Sequence, residues 1–284
     1  MRKRYLKRKG LEEAKRIFLD RVSLGPLRVE RVPVERSIGR ITAEPVIAQL
    51  SAPHYHGAAM DGIAVRAEDT FGATEFEPRT FELGAGEGRF AFVDTGSALP
   101  AWANAVVMIE RVFRLDDERV EIRQAAVPWQ HVRLVGEDVV ATEPILQRGH
   151  RLRPPDLGAL LAAGVDSVAA AARPRVGILP TGSELIEPGA KAEPGRIIEF
   201  NSRMLTAYVD EWGGEPTRLT PVADDVGRIR AAIERALAEH DVVPVIAGSS
   251  AGEHDFTVEA VAAVGEVLAH GVDVMPGKPA IRAV

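Results

Sequence analysis

Residues 176–184 read VGILPTGSE, a short apolar run followed by a loop of proline, threonine, glycine and serine. The run Val176–Leu179 predicts a buried strand, because a few consecutive apolar residues bounded by turn-forming residues are typical of a strand covered on both faces. A second apolar run, Val242–Ile246, precedes a Gly/Ser loop at residues 248–252. Helical patterns alternate with these runs, which predicts a parallel α/β sheet. Both loops then lie at the carboxyl ends of strands, where such sheets bind ligands.

Three helices are predicted in this part of the chain. Asn201 can serve as the N-cap of the first, which Gly213-Gly214 closes, and Asp224 can cap the second. The third is expected around Phe256–Val264. The core face of the first helix is predicted to consist of Met204, Leu205, Tyr208, Val209 and Trp212.

The sequence before residue 173 follows a different pattern. Apolar residues at helical spacing predict a helix over Leu11–Val22, and another is expected from Pro154 to Gly164. Short alternating segments between about residues 63 and 133 indicate a mostly β region. We therefore predict an N-terminal linker domain of helices and strands from residues 1–50 and 139–173, an inserted β-rich domain from residues 51–138, and an α/β domain from residues 174–284.

Composition excludes several classes of protein. The 284 residues include 35 basic and 41 acidic side chains, a net charge of −6 that argues against a nucleic-acid-binding surface. The absence of cysteine excludes disulfides, thiolate catalysis and Cys-type zinc sites. No apolar run approaches the ~18 residues that span a bilayer, and no signal-peptide pattern is found at the N-terminus. A cytoplasmic protein without a membrane partner is expected.

Two loops of the α/β region have residues suited to anion binding. The loop at residues 248–252 offers small residues, hydroxyls and backbone N–H groups that can form an anion-binding concavity, although a plain strand-to-helix turn is the alternative. In the other loop, a carboxylate at Glu184 suggests a metal-bridged or polyol ligand. Capping of a local helix start by Glu184 is the simpler alternative.

A third group of polar residues lies near residue 60. Asp61 stands in an apolar context and is expected to need a partner or a function, with a turn at Gly62 of positive φ as the alternative. His54, His56, Asp61 and Glu68 raise the hypothesis of a metal site, but their spacing matches no standard zinc helix.

Taken together, these segments resemble the molybdopterin molybdotransferases, the MoeA and gephyrin E-domain type. The resemblance runs from about residue 11 to residue 279 and depends on motifs in a fixed order. The motifs are Ala59-Met60-Asp61-Gly62, Asp94-Thr95-Gly96, Gly136-Glu137-Asp138, Pro180-Thr181-Gly182-Ser183-Glu184, Asn201-Ser202, Asp224-Asp225, Ser250-Ala251-Gly252-Glu253-His254-Asp255 and Pro276-Gly277-Lys278-Pro279.

The resemblance implies an elongated, multidomain homodimer with a MogA-like three-layer α/β domain. It implies an enzyme of molybdenum cofactor biosynthesis that inserts molybdate into adenylylated molybdopterin and releases AMP, with Mg²⁺. It also implies molybdopterin adenylyltransferase and molybdoenzyme acceptors as further partners. Catalytic positions implied in this way are Asp61, Glu184, Asp224 and Asp255, of which Glu184 and Asp224 are also metal ligands. Substrate-binding positions are Thr95, Gly96, Asp138, Thr181, Gly182, Ser183, Gly248, Ser249, Ser250, Gly252, Pro276, Gly277 and Lys278.

The sequence departs from the family pattern at several of these motifs. Ala58 and Ser183 stand where the family has serine and an acid, and the start of the anion loop is Ile246-Ala247-Gly248. Met275 and Gly271 stand at positions of family lysines, and Val284 precedes the family's C-terminal β domain. Three alternatives stay open: a non-catalytic protein that binds or carries molybdopterin or an oxyanion, a divergent relative that uses tungstate, and a scaffold that acts through its dimer surface.

Overall fold

The computed structural model describes residues 9–22, 28–246, 256–274 and 280–284. The described residues form two compact units, Val29–Ala171 and a second unit that joins Met1–Arg28 with Ala172–Val284. The α/β plus β-rich fold class predicted from the sequence is confirmed. The domain boundaries proposed above, which divide the chain more finely, stay a prediction.

Five α-helices occur in the described residues: α1 (Leu11–Arg21), α2 (Pro154–Ala162), α3 (Asn201–Glu211), α4 (Val226–Glu239) and α5 (Phe256–Val264). The strands of the Val29–Ala171 unit are β1 (Val29–Pro33), β2 (Val46–Ile47), β3 (Gly57–Ala58), β4 (Gly62–Val65), β5 (Arg79–Leu83), β6 (Arg89–Val93), β7 (Ala105–Met108), β8 (Val112–Arg114), β9 (Arg119–Ile122), β10 (Val132–Arg133), β11 (Pro144–Leu146) and β12 (Ser167–Ala171). Those of the other unit are β13 (Arg175–Pro180), β14 (Leu185–Ile186), β15 (Ile197–Ile198), β16 (Glu215–Arg218), β17 (Val245–Ile246), β18 (Val267–His270) and β19 (Ile281–Ala283).

The main sheet of the Val29–Ala171 unit has six strands in the order β7-β4-β6-β5-β9-β8. All neighbours are antiparallel except β5 and β6. Successive side chains of a strand point to opposite faces, so Ile63 and Val65 of β4 pack in one apolar cluster and Ala64 packs in another. Both faces of β4 are therefore covered, which explains its four consecutive buried residues.

The remainder of this unit is built from short antiparallel pairs around α2. Strand β1 pairs with β12, and β2 pairs with β11. Leu160 of α2 is fully buried in a cluster that includes Val34 and Val168. Pro154 and Pro155 occupy the first turn of α2, where a missing N–H costs no helical hydrogen bond, as predicted.

The second unit contains the predicted parallel sheet, in the order β16-β13-β17. Ile178 of β13 packs with Val209 of α3, whereas the next residue, Leu179, packs with Ile229 of α4. Because neighbouring residues point to opposite faces, helices cover both sides of the sheet and form three layers. Strand β17 is shorter than predicted because Pro244 has no N–H, although its carbonyl still accepts from Leu179 N.

Two predictions for α3 and α4 were wrong in detail. The N-cap of α4 is Asp225, whose carboxylate accepts from Arg228 N at 2.8 Å, and not Asp224. Helix α3 begins at Asn201, and its first turn is capped by Glu199, which accepts from Ser202 N at 2.8 Å. Gly213 closes α3 with a φ of 89°, as predicted.

The predicted core face of α3 was also partly wrong. Val209 is buried, whereas Met204, Tyr208 and Trp212 are 47%, 44% and 71% exposed. Residues four apart on a helix form one row, so these three side chains lie on a row beside the buried one and face solvent.

Candidate functional site

Asp61 is held in place by the tight approach of two strands. Gly62, the next residue, is in register with Met108 of β7, and Ile109 N donates to the Asp61 carbonyl at 2.9 Å. A Cβ atom on Gly62 would lie 2.0 Å from the carbonyl oxygen of Val107. Gly62 is therefore required by close packing within a strand, and the turn of positive φ considered above is not formed.

The carboxylate of Asp61 is exposed and its partner is Thr95. One carboxylate oxygen accepts from Thr95 N at 2.7 Å and from Thr95 Oγ1 at 2.8 Å. The backbone hydrogen bond from Thr95, and after it the side-chain one, lowers the pKa of Asp61 below its ordinary value. Asp61 is thus an ionised carboxylate of fixed orientation. Its second oxygen accepts no hydrogen bond from any described residue.

The turn that presents Thr95 is itself anchored. Gly96 has a φ of 87°, which favours glycine, and its N–H donates to the carbonyl of Ala58 at 2.8 Å. The hydroxyl of Tyr55 donates to the Gly96 carbonyl at 3.0 Å. These bonds place the Thr95-Gly96 turn beside β3 and next to Asp61.

Asp138 makes a different contact. Arg133 Nη2 donates to its two carboxylate oxygens at 2.9 and 2.8 Å, and this hydrogen bond raises the pKa of Arg133. Arg133 is in register with Gly57 of β3. Asp138 is therefore an exposed ion-pair partner, and no hydrogen bond joins it to Asp61 or Thr95.

In the second unit, the loop after β13 continues the hydrogen bonding between β13 and β17 for one residue and then turns sharply. Thr181 is fully buried, and its N–H donates to the carbonyl of Ile246 at 2.8 Å. Gly182 has a φ of 144° and donates to the carbonyl of Val222 at 3.0 Å. A Cβ atom on Gly182 would lie 2.8–2.9 Å from both carboxylate oxygens of Glu184, so the Glu184 side chain folds back over this glycine.

Ser183 is bonded reciprocally to Asp224. Ser183 N donates to Asp224 Oδ2 at 3.0 Å, and Asp224 N donates to Ser183 Oγ at 3.1 Å. Arg196 Nη1 donates to the Ser183 carbonyl at 2.8 Å. Arg196 was missed by the sequence analysis, as was Arg133. The signal for Arg196 was the Pro194-Gly195 turn before it, in which Gly195 has a φ of 83°.

Glu184 and Asp224 have the donor chemistry of a metal site without a cation partner. No Lys, Arg or His of the described ranges lies within 4.0 Å of either carboxylate. No group of three or more His, Cys, Asp or Glu side chains in those ranges is arranged to hold a metal ion. This includes the His54, His56, Asp61 and Glu68 hypothesis: His56 Nδ1 accepts from Val135 N, and Glu68 accepts from Asn104.

The described site residues fall into two groups, one in each compact unit. Asp61 and Thr95 are in contact, and Ser183 and Asp224 are in contact. The remaining predicted site residues lie outside the described residues: Gly248, Ser249, Ser250, Gly252, Asp255, Pro276, Gly277 and Lys278, together with the departure at Met275. Within the described part of the chain, no helix combines the length and the apolar character needed to cross a membrane.

Two family models cover most of the chain. Residues 10–164 match the MoeA N-terminal region (domain I and II), and residues 177–284 match a probable molybdopterin binding domain. A protein of Methanocaldococcus jannaschii named for molybdopterin biosynthesis is 37% identical over 264 residues, 89% of this chain and 66% of that protein. Molybdopterin molybdenumtransferase 2 of Mycobacterium tuberculosis is 35% identical over 241 residues, 81% of this chain and 59% of that protein.

The chain thus spans about three fifths to two thirds of the length of these relatives. A crystal structure titled as the molybdopterin biosynthesis MoeA protein of Pyrococcus horikoshii has a TM-score of 0.85 at 33% identity. That similarity covers 98% of this chain and 72% of the other. The sequence, both compact units and these comparisons agree that the chain belongs to the MoeA family.

Proposed function

We propose that the chain acts in molybdenum cofactor biosynthesis as a molybdopterin molybdotransferase, inserting molybdate into adenylylated molybdopterin with release of AMP. The observation that supports this most directly is the reciprocal bonding of Ser183 and Asp224 beside Glu184, at the carboxyl end of β13. Parallel α/β sheets bind ligands at that edge. Relatives that are 35% and 32% identical to this chain are named molybdopterin molybdenumtransferase 2 and molybdopterin molybdenumtransferase.

The residues of the second unit are suited to holding a phosphate-linked substrate. Gly182 has no side chain, so the Glu184 carboxylate can lie directly over the backbone of the loop. The Ser183 hydroxyl accepts from Asp224 N, and its own proton remains to be donated. The proposed reaction depends on positioning and on neutralising charge, and it requires no protein nucleophile.

Mg²⁺ fits the donor set at Glu184 and Asp224. Mg²⁺ is usually bound by one or two carboxylates together with substrate phosphates, rather than by a complete protein cage. Asp224 Oδ1 and both Glu184 oxygens have no hydrogen bond from another described residue, so they are open to such an ion. When bound, Mg²⁺ would supply positive charge against the phosphate oxygens.

In the Val29–Ala171 unit, we propose that Asp61 orients the substrate. Thr95 keeps this carboxylate ionised and fixes it through one oxygen only, which leaves the other for a ligand. Asp138 is assigned to the site with Arg133 as its bonded partner, so a substrate group would contact the pair rather than a free carboxylate.

A homodimer is part of the proposal. Phe200, Met204, Tyr208 and Trp212 form one exposed row along α3, and the rings of Tyr208 and Trp212 are stacked with centroids 5.3 Å apart. Exposed apolar patches mark interaction surfaces, and such a row can pack against its own copy about a two-fold axis. Sedimentation should give twice 30.6 kDa for the natural chain and 30.6 kDa for a Tyr208→Ser, Trp212→Ser variant. Phe76→Ser, at a side chain that is 95% exposed in the other unit, is the control.

The decisive experiment for the function is AMP release. The protein is incubated with adenylylated molybdopterin and Mg²⁺, with molybdate, tungstate or neither. Release that depends on molybdate supports the proposal, and release that prefers tungstate indicates the divergent relative. Tight binding of the substrate without release under any condition indicates a binding or carrier protein instead.

A further inference from the structure

We propose that Arg196 is a phosphate-binding residue of the site around Ser183 and Asp224, an inference that rests on the proposed function. Arg196 Nη1 donates to the Ser183 carbonyl at 2.8 Å. Ser183 is the residue that Asp224 fixes through both its N–H and its hydroxyl. The guanidinium group therefore lies directly beside the loop to which the substrate phosphate is assigned.

The backbone that presents Arg196 is tied to the same loop. Residues 184–199, which we term the arm, leave the loop at Glu184 and return as the parallel pair of β14 and β15. Ile197 N donates to the Glu184 carbonyl at 3.0 Å, directly after Arg196. Glu199 N donates to the Ile186 carbonyl at 2.8 Å. Arg196 is thus held at the loop by its neighbours as well as by its own side chain.

The far end of the arm is anchored by a buried carboxylate. Glu199 is 3% exposed and accepts from Ser202 N at 2.8 Å and from Arg203 Nη1 at 2.7 Å. Because a buried carboxylate that is fully hydrogen-bonded resists displacement, this end of the arm is fixed at the start of α3. Fixing the arm reduces the entropy that Arg196 must lose when it contacts a ligand.

The charge of Arg196 has no described partner. Arg203 and Arg218, the neighbouring arginines, both pair with Glu187 and Glu199. Arg196 is exposed, and no Asp or Glu of the described ranges lies within 4.0 Å of its guanidinium group. A guanidinium has five N–H donors, of which the Ser183 carbonyl uses one.

The remaining donors match a phosphate group. The planar guanidinium fork binds phosphate oxygens through paired hydrogen bonds, which a compact ammonium cannot copy. The Ser183 hydroxyl can donate one more, so that Arg196 and Ser183 together form a donor pair for one phosphate. The ligand class is a nucleoside monophosphate or the phosphate of a nucleotide-linked substrate.

Titration calorimetry with AMP in the presence of Mg²⁺ tests the assignment. Arg196→Gln should weaken AMP binding about tenfold, which corresponds to the loss of a charged hydrogen bond at a solvent-accessible site. AMP binding by Arg196→Gln should also depend less on the salt concentration, since one cation no longer contacts the phosphate. Arg196→Lys should keep the salt dependence and lose less affinity. Arg230→Gln, at an exposed arginine that pairs with Glu234 on α4, is the matched control and should bind as the natural protein does.

Three results would overturn the proposal. In the first, the natural protein does not bind AMP. In the second, Arg196→Gln binds AMP with unchanged affinity. In the third, Arg196→Gln and Arg196→Lys lose equal affinity for AMP and the salt dependence of binding is unchanged. The last result would show that Arg196 only supports the Ser183 carbonyl. Molybdate-dependent AMP release from the same natural protein separates the two proposals. Binding that depends on Arg196 without any release contradicts the transferase function alone, and normal release with an unaffected Gln variant contradicts Arg196 alone.

Discussion

Ser183 and Asp224 are joined by two hydrogen bonds, each residue donating its backbone N–H to the side chain of the other, although 41 residues separate them in the sequence. The pair connects the loop after β13 with the segment that leads into α4. Glu184 directly follows Ser183 in the sequence. The position of the Glu184 carboxylate therefore depends on the contact that the Asp224 carboxylate makes with Ser183.

Removing the charge of either carboxylate should reduce AMP release strongly without unfolding the protein. In Asp224→Asn the amide oxygen can still accept from Ser183 N, so the variant isolates the charge from the hydrogen bond. We expect Asp224→Asn and Glu184→Gln each to lower kcat at least about a hundredfold, by analogy with the loss of one preorganised electrostatic contact in other active sites. Glu193→Gln, at an exposed position of the arm, is the control. Natural rates in either variant at an unchanged Tm would falsify the assignment.

Ser183→Ala should loosen the loop rather than remove a charge. The variant loses the acceptor for Asp224 N and the hydroxyl proton assigned to the substrate. Because both groups stay accessible to water, we expect a loss of about 0.5–1 kcal/mol in the free energy of unfolding. AMP release should fall about tenfold, mainly through KM. Chemical denaturation and steady-state kinetics measure the two effects, and an unchanged KM contradicts the contact with substrate.

Thr95→Val should raise the pKa of Asp61. Hydrogen bonds from the Thr95 backbone N–H and from its hydroxyl lower the pKa of Asp61 below the ordinary 3.8. Thr95→Val retains only the hydrogen bond from the backbone N–H. The ionised form, and the stability it contributes, is present above the ordinary pKa and is lost as pH falls through the folded-state pKa. The acid limb of activity should therefore move to higher pH in Thr95→Val, while Thr95→Ser, which keeps the hydroxyl, stays near the natural profile. NMR titration of the Asp61 carboxyl provides the direct measurement, and an identical pKa in all three proteins contradicts the prediction.

Asp156→Asn should destabilise the Val29–Ala171 unit. Asp156 is 6% exposed, and its carboxylate accepts from Arg153 N at 2.8 Å and lies 2.7 Å from His150 Nε2. Burial raises the pKa of Asp156, but the hydrogen bonds from Arg153 and His150 outweigh it and hold the pKa well below the ordinary value. The carboxylate therefore stabilises the fold above its ordinary pKa, and this contribution is lost only as pH falls well below it.

We expect the free energy of unfolding to fall by about 1.5–3 kcal/mol at pH 7 in Asp156→Asn, since the change weakens the charged hydrogen bonds that a buried carboxylate accepts from Arg153 and His150. Asp166→Asn, at an exposed carboxylate of the same unit, should change it by less than about 0.5 kcal/mol. Guanidinium denaturation of the three proteins makes the comparison. Equal stability of Asp156→Asn and the natural protein contradicts the stabilising role given to the Asp156 carboxylate.

The elements with strong local signals could be predicted from the sequence. The apolar run at Val176–Leu179 and the prolines at the start of α2 fix their structure through neighbours in the chain. Gly213 ended α3 as expected, because a left-handed residue is needed there and glycine adopts it without strain. The chemistry of the site followed only from the order of the family motifs.

Contacts between distant segments could not be predicted. Nothing in the sequence distinguishes Asp224 from Asp225 as the helix cap, because the choice depends on the bond from Ser183 N, made by a residue of another loop. Nor does an apolar pattern show which row of α3 is covered, since Leu205 and Tyr208 lie only one row apart on the helix. The role of Arg196 depends on β14 and β15, strands of two residues that are too short to leave a pattern.

The placement of α1 has a consequence for how the protein is made. Ala14 of α1 is 1% exposed because it packs with Ala269 and Val272, near the other end of the sequence. A ribosome that adds about 5–20 residues per second needs roughly 10–50 s to translate the intervening stretch of about 250 residues. During that time an isolated helix of 11 residues is only marginally stable in water. Helix α1 is therefore translated early but is among the last elements of its unit to fold, and the nascent chain must keep the apolar face of α1 from aggregating until β18 has left the ribosome.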